Sequence, residues 1–146
     1  MSLTVKIKTP IFQTLSDLKE QYGFDELGLA VSGGSDSLAM LYICNDWAVE
    51  KKVKLHCVTV DHKLRPGSLK EAQLVAGHCN GLGINHEVVE WKHEKELNGN
   101  VSDLARSARY ELIDKWRKKL SFVLVGHTQN DQIETFFMNL KRGSGI

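Results

Sequence analysis

Short β-rich runs alternate with longer helix-like stretches along most of this chain, and that alternation restricts the available folds more than any other feature. Leu27 to Val31 is a brief buried-strand pattern, Val53 to Val60 a second, His86 to Trp91 a third and Phe122 to Val125 a fourth. Around them, apolar spacing and end signals predict helices. Thr9-Pro10 reads as an N-cap followed by proline at the first helical position, opening a helix to about Tyr22. Asp36 to about Glu50 is the next, with Leu38, Leu41, Tyr42 and Ala48 among its apolar positions. Ser68-Leu69-Lys70-Glu71 matches a capping box for a helix to about Leu82, with Gly83 as its terminator. Ser102 is placed to cap a helix to about Leu120, and Asn130 to about Leu140 reads as the last helix. Strands separated by helices imply right-handed crossovers, hence an α/β, doubly wound, mainly parallel sheet with helices on both faces, Rossmann-like in outline.

The 146 residues leave room for one domain, and their 42% hydrophobic and 25% charged content is that of an ordinary globular protein. No apolar run approaches the roughly 18–20 residues that span a bilayer, and Met1 to Lys8 lacks a signal-like segment, so a cytoplasmic protein with no membrane partner is expected. A net charge of +1 offers no strong field to draw in nucleic acid, although basic residues gather in His62-Lys63-Leu64-Arg65 and from Arg106 to Lys119. Cys44, Cys57 and Cys79 form no C-x-x-C pair, which argues against a zinc ribbon, a redox dithiol or a cysteine-held iron–sulfur site. Buried free thiols are expected instead.

In parallel sheets ligands bind beyond the carboxyl ends of the strands. Those ends here are Ser32-Gly33-Gly34, Asp61-His62, Lys92-His93 and Gly126-His127. The first opens the string Ser32-Gly33-Gly34-Ser35-Asp36-Ser37, which leads directly into a helix. Adjacent glycines permit positive φ and close backbone approach, while a helix N-terminus adds unpaired N–H donors and positive partial charge. With three serine hydroxyls, the stretch makes an anion-binding nest suited to phosphate. It has neither the G-x-x-x-x-G-K-S/T pattern with its lysine nor G-x-G-x-x-G. An acidic residue in a phosphate loop carries the wrong sign unless Asp36 holds Mg²⁺ against the phosphates.

Ser32-Gly33-Gly34-Ser35-Asp36-Ser37 resembles the PP-loop of N-type ATP pyrophosphatases. The resemblance implies an adenine nucleotide alpha hydrolase-like fold and an enzyme that adenylates a carbonyl-type oxygen with ATP, expels pyrophosphate and lets a nucleophile displace AMP. Gly126-His127-Thr128-Gln129-Asn130-Asp131-Gln132-Ile133-Glu134-Thr135 is similar to the GHTxxDQxET segment of the tRNA(Ile)-lysidine synthetases and their close relatives. Val60-Asp61-His62-Lys63-Leu64-Arg65, followed by Ser68 and Glu71, resembles their VDHxLR block, and Ala105-Arg106-Ser107-Ala108-Arg109-Tyr110 their ARxxRY block. The similarity runs from about Gly28 to Gly145.

Asp131 and Glu134, three apart on the expected last helix, would share a face and with Asp36 complete an oxygen cage for Mg²⁺. Taken alone, the pair reads as a solvated first turn where acids suit the helix dipole. The resemblance assigns Ser32 to Ser37 to the pyrophosphate and Arg109 and His127 to charge on the transferring phosphoryl group; Asp61, ending the second strand, is expected to meet the nucleoside or substrate, with His62 beside it at the nucleotide. Tyr110 reads equally as core or site.

The lysidine-type reaction implied is adenylation of the wobble cytidine of tRNA(Ile) with a CAU anticodon, then attack by L-lysine. A thiolase of the same superfamily, a relative of the GMP or NAD synthetases, and a non-catalytic adenine-nucleotide module are the alternatives. The chain stops at Lys141-Arg142-Gly143-Ser144-Gly145-Ile146, whereas the resembled family continues into tRNA-recognising regions. Residues 1–146 are therefore expected to be a single N-terminal catalytic domain that binds ATP but is weak on tRNA alone; whether it forms a homodimer is left open.

Overall fold

The computed structural model describes residues 3–63, 67–92, 101–118, 120–129 and 132–139, with side chains throughout except at 3–7, 35–36, 101–103, 105–106 and 126–139. In chain order the elements are α1 (Leu3–Tyr22), β1 (Glu26–Ala30), α2 (Ser35–Lys51), β2 (Lys54–Asp61), α3 (Ser68–Leu82), β3 (Asn85–Glu90), α4 (Val101–Arg117), β4 (Phe122–Gln129) and β5 (Gln132–Asn139). They build one five-stranded sheet in the order β3-β2-β1-β4-β5. The pairs β1–β2, β2–β3 and β1–β4 are parallel, and β5 runs antiparallel to β4. No described helix is long and apolar enough to cross a membrane.

Period-two alternation decides which face each strand residue serves. Leu27, Leu29, Leu55, Cys57 and Leu124 meet Leu15, Met40, Ile43, Trp47, Val75 and Cys79, so α1, α2 and α3 cover one face. Trp47 Nε1 donates to Ser16 Oγ at 3.0 Å, tying α2 to α1. Ala30, Val58, Val123 and Val125 face the other way and pack on Ile113, with Tyr110 and Trp116 beside it, so α4 covers the opposite face. All three cysteines are buried and free, as expected, and burial raises the pKa of the Cys44 thiol.

Five local expectations need correction. Ser102 lies inside α4 rather than capping it, and this helix ends at Arg117. α1 begins at Leu3, and the exposed Pro10 lies inside it rather than at its start; on an exposed face water can serve the carbonyl that the missing N–H leaves. The N-cap of α3 is Gly67, with no side-chain cap, so the capping box does not form and Ser68 is free to bond elsewhere. β4 runs on to Gln129, which places Gly126 and His127 within the strand and not past its end. The expected helix from Asn130 to Leu140 is strand β5 over Gln132–Asn139. Ile133, Thr135, Phe136 and Phe137 are β-branched or aromatic and suit a strand, and pairing with β4 satisfies the backbone groups on the side that faces it.

Gly28 lies on the α4 face of β1, where a Cβ would sit 3.0 Å from Leu120 Cδ1, 3.0 Å from Val123 Cγ2 and 3.2 Å from Trp116. Close seating of α4 depends on its missing side chain. Gly28→Val should therefore overpack this face and lower unfolding stability by about 2 kcal/mol in urea denaturation.

Candidate functional site

β2 and β3 lie to one side of β1, and β4 lies to the other. Connections leaving β1 and entering β4 therefore run on opposite faces of the sheet, which opens a crevice at the strands' carboxyl ends. A cavity of about 290 Å³ occupies that place. Its floor is Ala30, Val58 and Val125 from three neighbouring strands, and its rim includes Ser32, Gly33, His62, Ser68, Glu71 and Arg109.

The glycine–serine string is the turn between β1 and α2. Gly34, the N-cap of α2, sits at φ −70°, ψ 154° and, as a glycine, offers no side-chain cap to the helix's first N–H groups. Ser37 is buried, and its Oγ accepts from Ser32 N–H at 2.9 Å; Ser32 Oγ in turn accepts from Gly34 N–H at 3.4 Å. Ser37 therefore braces the loop from inside instead of adding a donor to its surface. Ser35 and Asp36 occupy the first turn of α2.

Neither loop glycine uses positive φ; the described glycines that do are Gly23 and Gly83. Gly33 is needed for close approach. A Cβ there would lie 2.8 Å from Glu71 Cβ and 3.1 Å from Glu71 Cα, so the loop rests directly on the first turn of α3.

Asp61, at the end of β2, is only 3% exposed and is not part of the cavity wall. Burial pushes its carboxyl pKa up. Hydrogen bonds from the Ser68 hydroxyl and the Lys63 amide, at 2.9 Å, with positive charge on Lys63 and His62, outweigh burial and hold it below the ordinary carboxylate value. Asp61 thus joins β2 to α3, while its neighbour His62 lines the cavity with its ring edge-on to Trp91 at 6.1 Å between centroids. Arg109 reaches the cavity from α4, its guanidinium 5.8 Å from the Tyr110 ring centre.

The helix that was expected to carry Asp131 and Glu134 on one face is replaced by strand β5. Glu134 lies on β5 directly opposite His127 of β4, Asp36 lies at the start of α2, and Asp131 falls outside the described residues. Among the described residues no group of three or more His, Cys, Asp or Glu is arranged to hold a metal ion. The donor chemistry of the three residues, carboxylates only, still suits a hard cation such as Mg²⁺.

Thr59, Ser68 and Glu71 also belong to the cavity wall. Ser68 and Glu71 stood in the sequence only as a helix start and part of a motif. Thr59 was hidden inside an apolar strand, where a lone hydroxyl between Val58 and Val60 was its only signal.

A glycine–serine turn leading into a glycine-capped helix start at the strand-order reversal marks an α/β domain of the doubly wound class. The chain belongs to the PP-loop domain family, which matches residues 5–146. It is 37% identical over 140 residues to the tRNA(Ile)-lysidine synthase of Wolbachia pipientis wMel, covering 93% of this chain and 32% of that protein. It is 43% identical over 122 residues to the tRNA(Ile)-lysidine synthase of Ruegeria pomeroyi, covering 82% of this chain and 29% of the relative. The chain thus spans about three tenths of the length of these curated relatives. Among solved structures it resembles the U34-tRNA thiolase NcsA of Methanococcus maripaludis, with its 4Fe-4S cluster, at a TM-score of 0.63 and 20% identity over 73% of this chain and 39% of the other. The NH3-dependent NAD synthetase of Campylobacter jejuni gives a TM-score of 0.60 at 16% identity, over 84% and 56% of the two chains. These two likenesses bear on the fold alone.

The Asp61 network sets a pH dependence. Its folded-state pKa is depressed, so the stabilisation is fully present above the unfolded value of about 4 and is lost as pH falls through the lower folded value. Asp61→Asn should lower stability at pH 7 and flatten the loss below about pH 4, as read from urea unfolding across pH.

Proposed function

We propose that this chain is the adenylating core of a tRNA(Ile)-lysidine synthetase, binding ATP with its pyrophosphate portion on the loop Ser32 to Ser37. The observation carrying the reading is the uncapped loop at the β1–β4 reversal, continuous with a cavity that Arg109 and His62 enter. Similarity to curated lysidine synthases over most of this chain supports the narrower assignment.

Loop amides at the start of α2 hold phosphate oxygens by hydrogen bonding and partial positive charge. The O2 atom of the wobble cytidine of tRNA(Ile) with a CAU anticodon attacks the α-phosphorus of ATP, and the bond to pyrophosphate breaks. The lysine ε-amine then attacks C2, loses a proton and displaces AMP. Arg109 stabilises negative charge on the transferring group, and His127 is assigned beside it by the motif it belongs to. Mg²⁺ would be held by Asp36, Asp131 and Glu134 and would neutralise phosphate charge. Positioning and charge stabilisation supply most of the acceleration.

A sulfur-transferring reaction is less well supported. Cys44, Cys57 and Cys79 are the only cysteines of the chain, and all three lie in the core under α2 and α3, away from the cavity wall.

ATP–pyrophosphate exchange by a full-length protein carrying this domain, assayed with CAU-anticodon tRNA and with lysine added or withheld, tests the proposal. Exchange that needs tRNA but not lysine is expected, and Gly33→Ala, which forces the loop off Glu71, should lower it by more than about tenfold. Lysine-dependent exchange without tRNA would mean an adenylated amino acid. MgATP binding with no exchange under any condition would leave a nucleotide-binding module.

A further inference from the structure

Val31 is the last residue before the glycine–serine loop, and its two backbone groups are held by different means. Its N–H donates to the Val58 carbonyl at 2.9 Å, extending the β1–β2 ladder one step past the strand. Its carbonyl instead accepts from Thr59 Oγ1 at 2.8 Å, in a buried hydrogen bond. A side-chain hydroxyl takes over where β2 continues to Asp61 and β1 turns away. Thr59 is 4% exposed, and its oxygen also lies 2.9 Å from His86 Nε2 on β3.

The proton directions follow from donor counting. A carbonyl oxygen only accepts, so the single hydroxyl proton of Thr59 is committed to Val31. His86 Nε2 must then be the donor, which fixes the Nε2–H tautomer of the neutral ring. Burial lowers the His86 pKa, in keeping with a neutral imidazole. One residue further on, Ser32 N–H is held by Ser37 Oγ at 2.9 Å. The chain is therefore gripped on both sides of the peptide at which it leaves the sheet.

We infer that Thr59 and His86 are positioning residues for the phosphate loop. Together they form a hydrogen-bonded strut across β3, β2 and β1 that sets the direction in which the Ser32–Ser37 amides face. Thr59 is part of the cavity wall, whereas His86 is not and acts through Thr59. The ligand consequence rests on the proposed function; the strut itself does not.

Thr59→Val keeps the shape and removes the hydroxyl, Thr59→Ser keeps the hydroxyl, and His86→Leu removes the outer donor from a half-buried site. Backbone amide hydrogen exchange over residues 31–38 without nucleotide, and MgATP affinity by titration calorimetry, give separate readouts on the 146-residue chain. Thr59→Val should speed exchange in this segment and weaken MgATP binding, each by about tenfold, consistent with losing one buried hydrogen bond. Thr59→Ser should stay within about twofold of the parent, and His86→Leu should fall between the two. Unchanged exchange over residues 31–38 in both Thr59→Val and His86→Leu would overturn the strut. So would a Thr59→Ser variant as impaired as Thr59→Val, because bulk rather than the hydroxyl would then matter. Should Thr59→Val fail to fold, His86→Leu against Thr59→Ser decides the same point. A parent chain that binds no MgATP would sink the nucleotide reading, while the exchange comparison would still judge the strut.

Discussion

Strand β1 is the element on which the candidate site depends, because the order of the sheet reverses beside it. With β2 on one side and β4 on the other, the connections on its two flanks cannot both cover its carboxyl end. The gap is floored by apolar strand residues and rimmed by polar ones. Everything placed there must solve the backbone problem that β1 leaves behind: a strand that stops while its neighbour continues. Val31 solves it with a ladder bond on one side and the Thr59 hydroxyl on the other.

From that fixed point the rest of the site is built by contact. Ser37 holds Ser32 from below, and Gly33 lies against Glu71, so the loop is referred to α3 as well as to β1. The start of α3 is itself tied to β2 through Asp61 and Ser68. Two strand ends and two helix starts are thereby held in one arrangement before any ligand arrives. Preorganised donors of this kind cost no rearrangement when charge develops, which is what the proposed adenylation would draw on.

The alternation of strand and helix patterns was enough to read the α/β sheet and the loop's position, because four short β-rich runs stand between longer helix-like stretches. Of the two reasons offered for the loop glycines, positive φ does not hold, while close approach does at Gly33, against Glu71: sequence shows that Cβ is missing, not whether torsion or proximity demands it. The segment after His127 was misread because Asp131 and Glu134 look like a helix start, whereas Ile133, Thr135 and Phe136 suit a strand. Only pairing with β4, a non-local fact, separates the two. Asp61 was expected at the nucleoside or substrate from its place at a strand end; its hydrogen bonds from the Ser68 hydroxyl and the Lys63 amide are contacts that no local pattern announced. Thr59 and His86 lie 27 residues apart, and no local pattern links them.

The most direct measurement is an amide-resolved NMR titration of the chain with MgATP, with pyrophosphate and with AMP in turn. The loop's role as the pyrophosphate seat requires the Gly33 to Ser37 amides to shift with MgATP and with pyrophosphate, and much less with AMP. Shifts that leave these amides unmoved by MgATP, or that follow AMP as strongly as pyrophosphate, would contradict it.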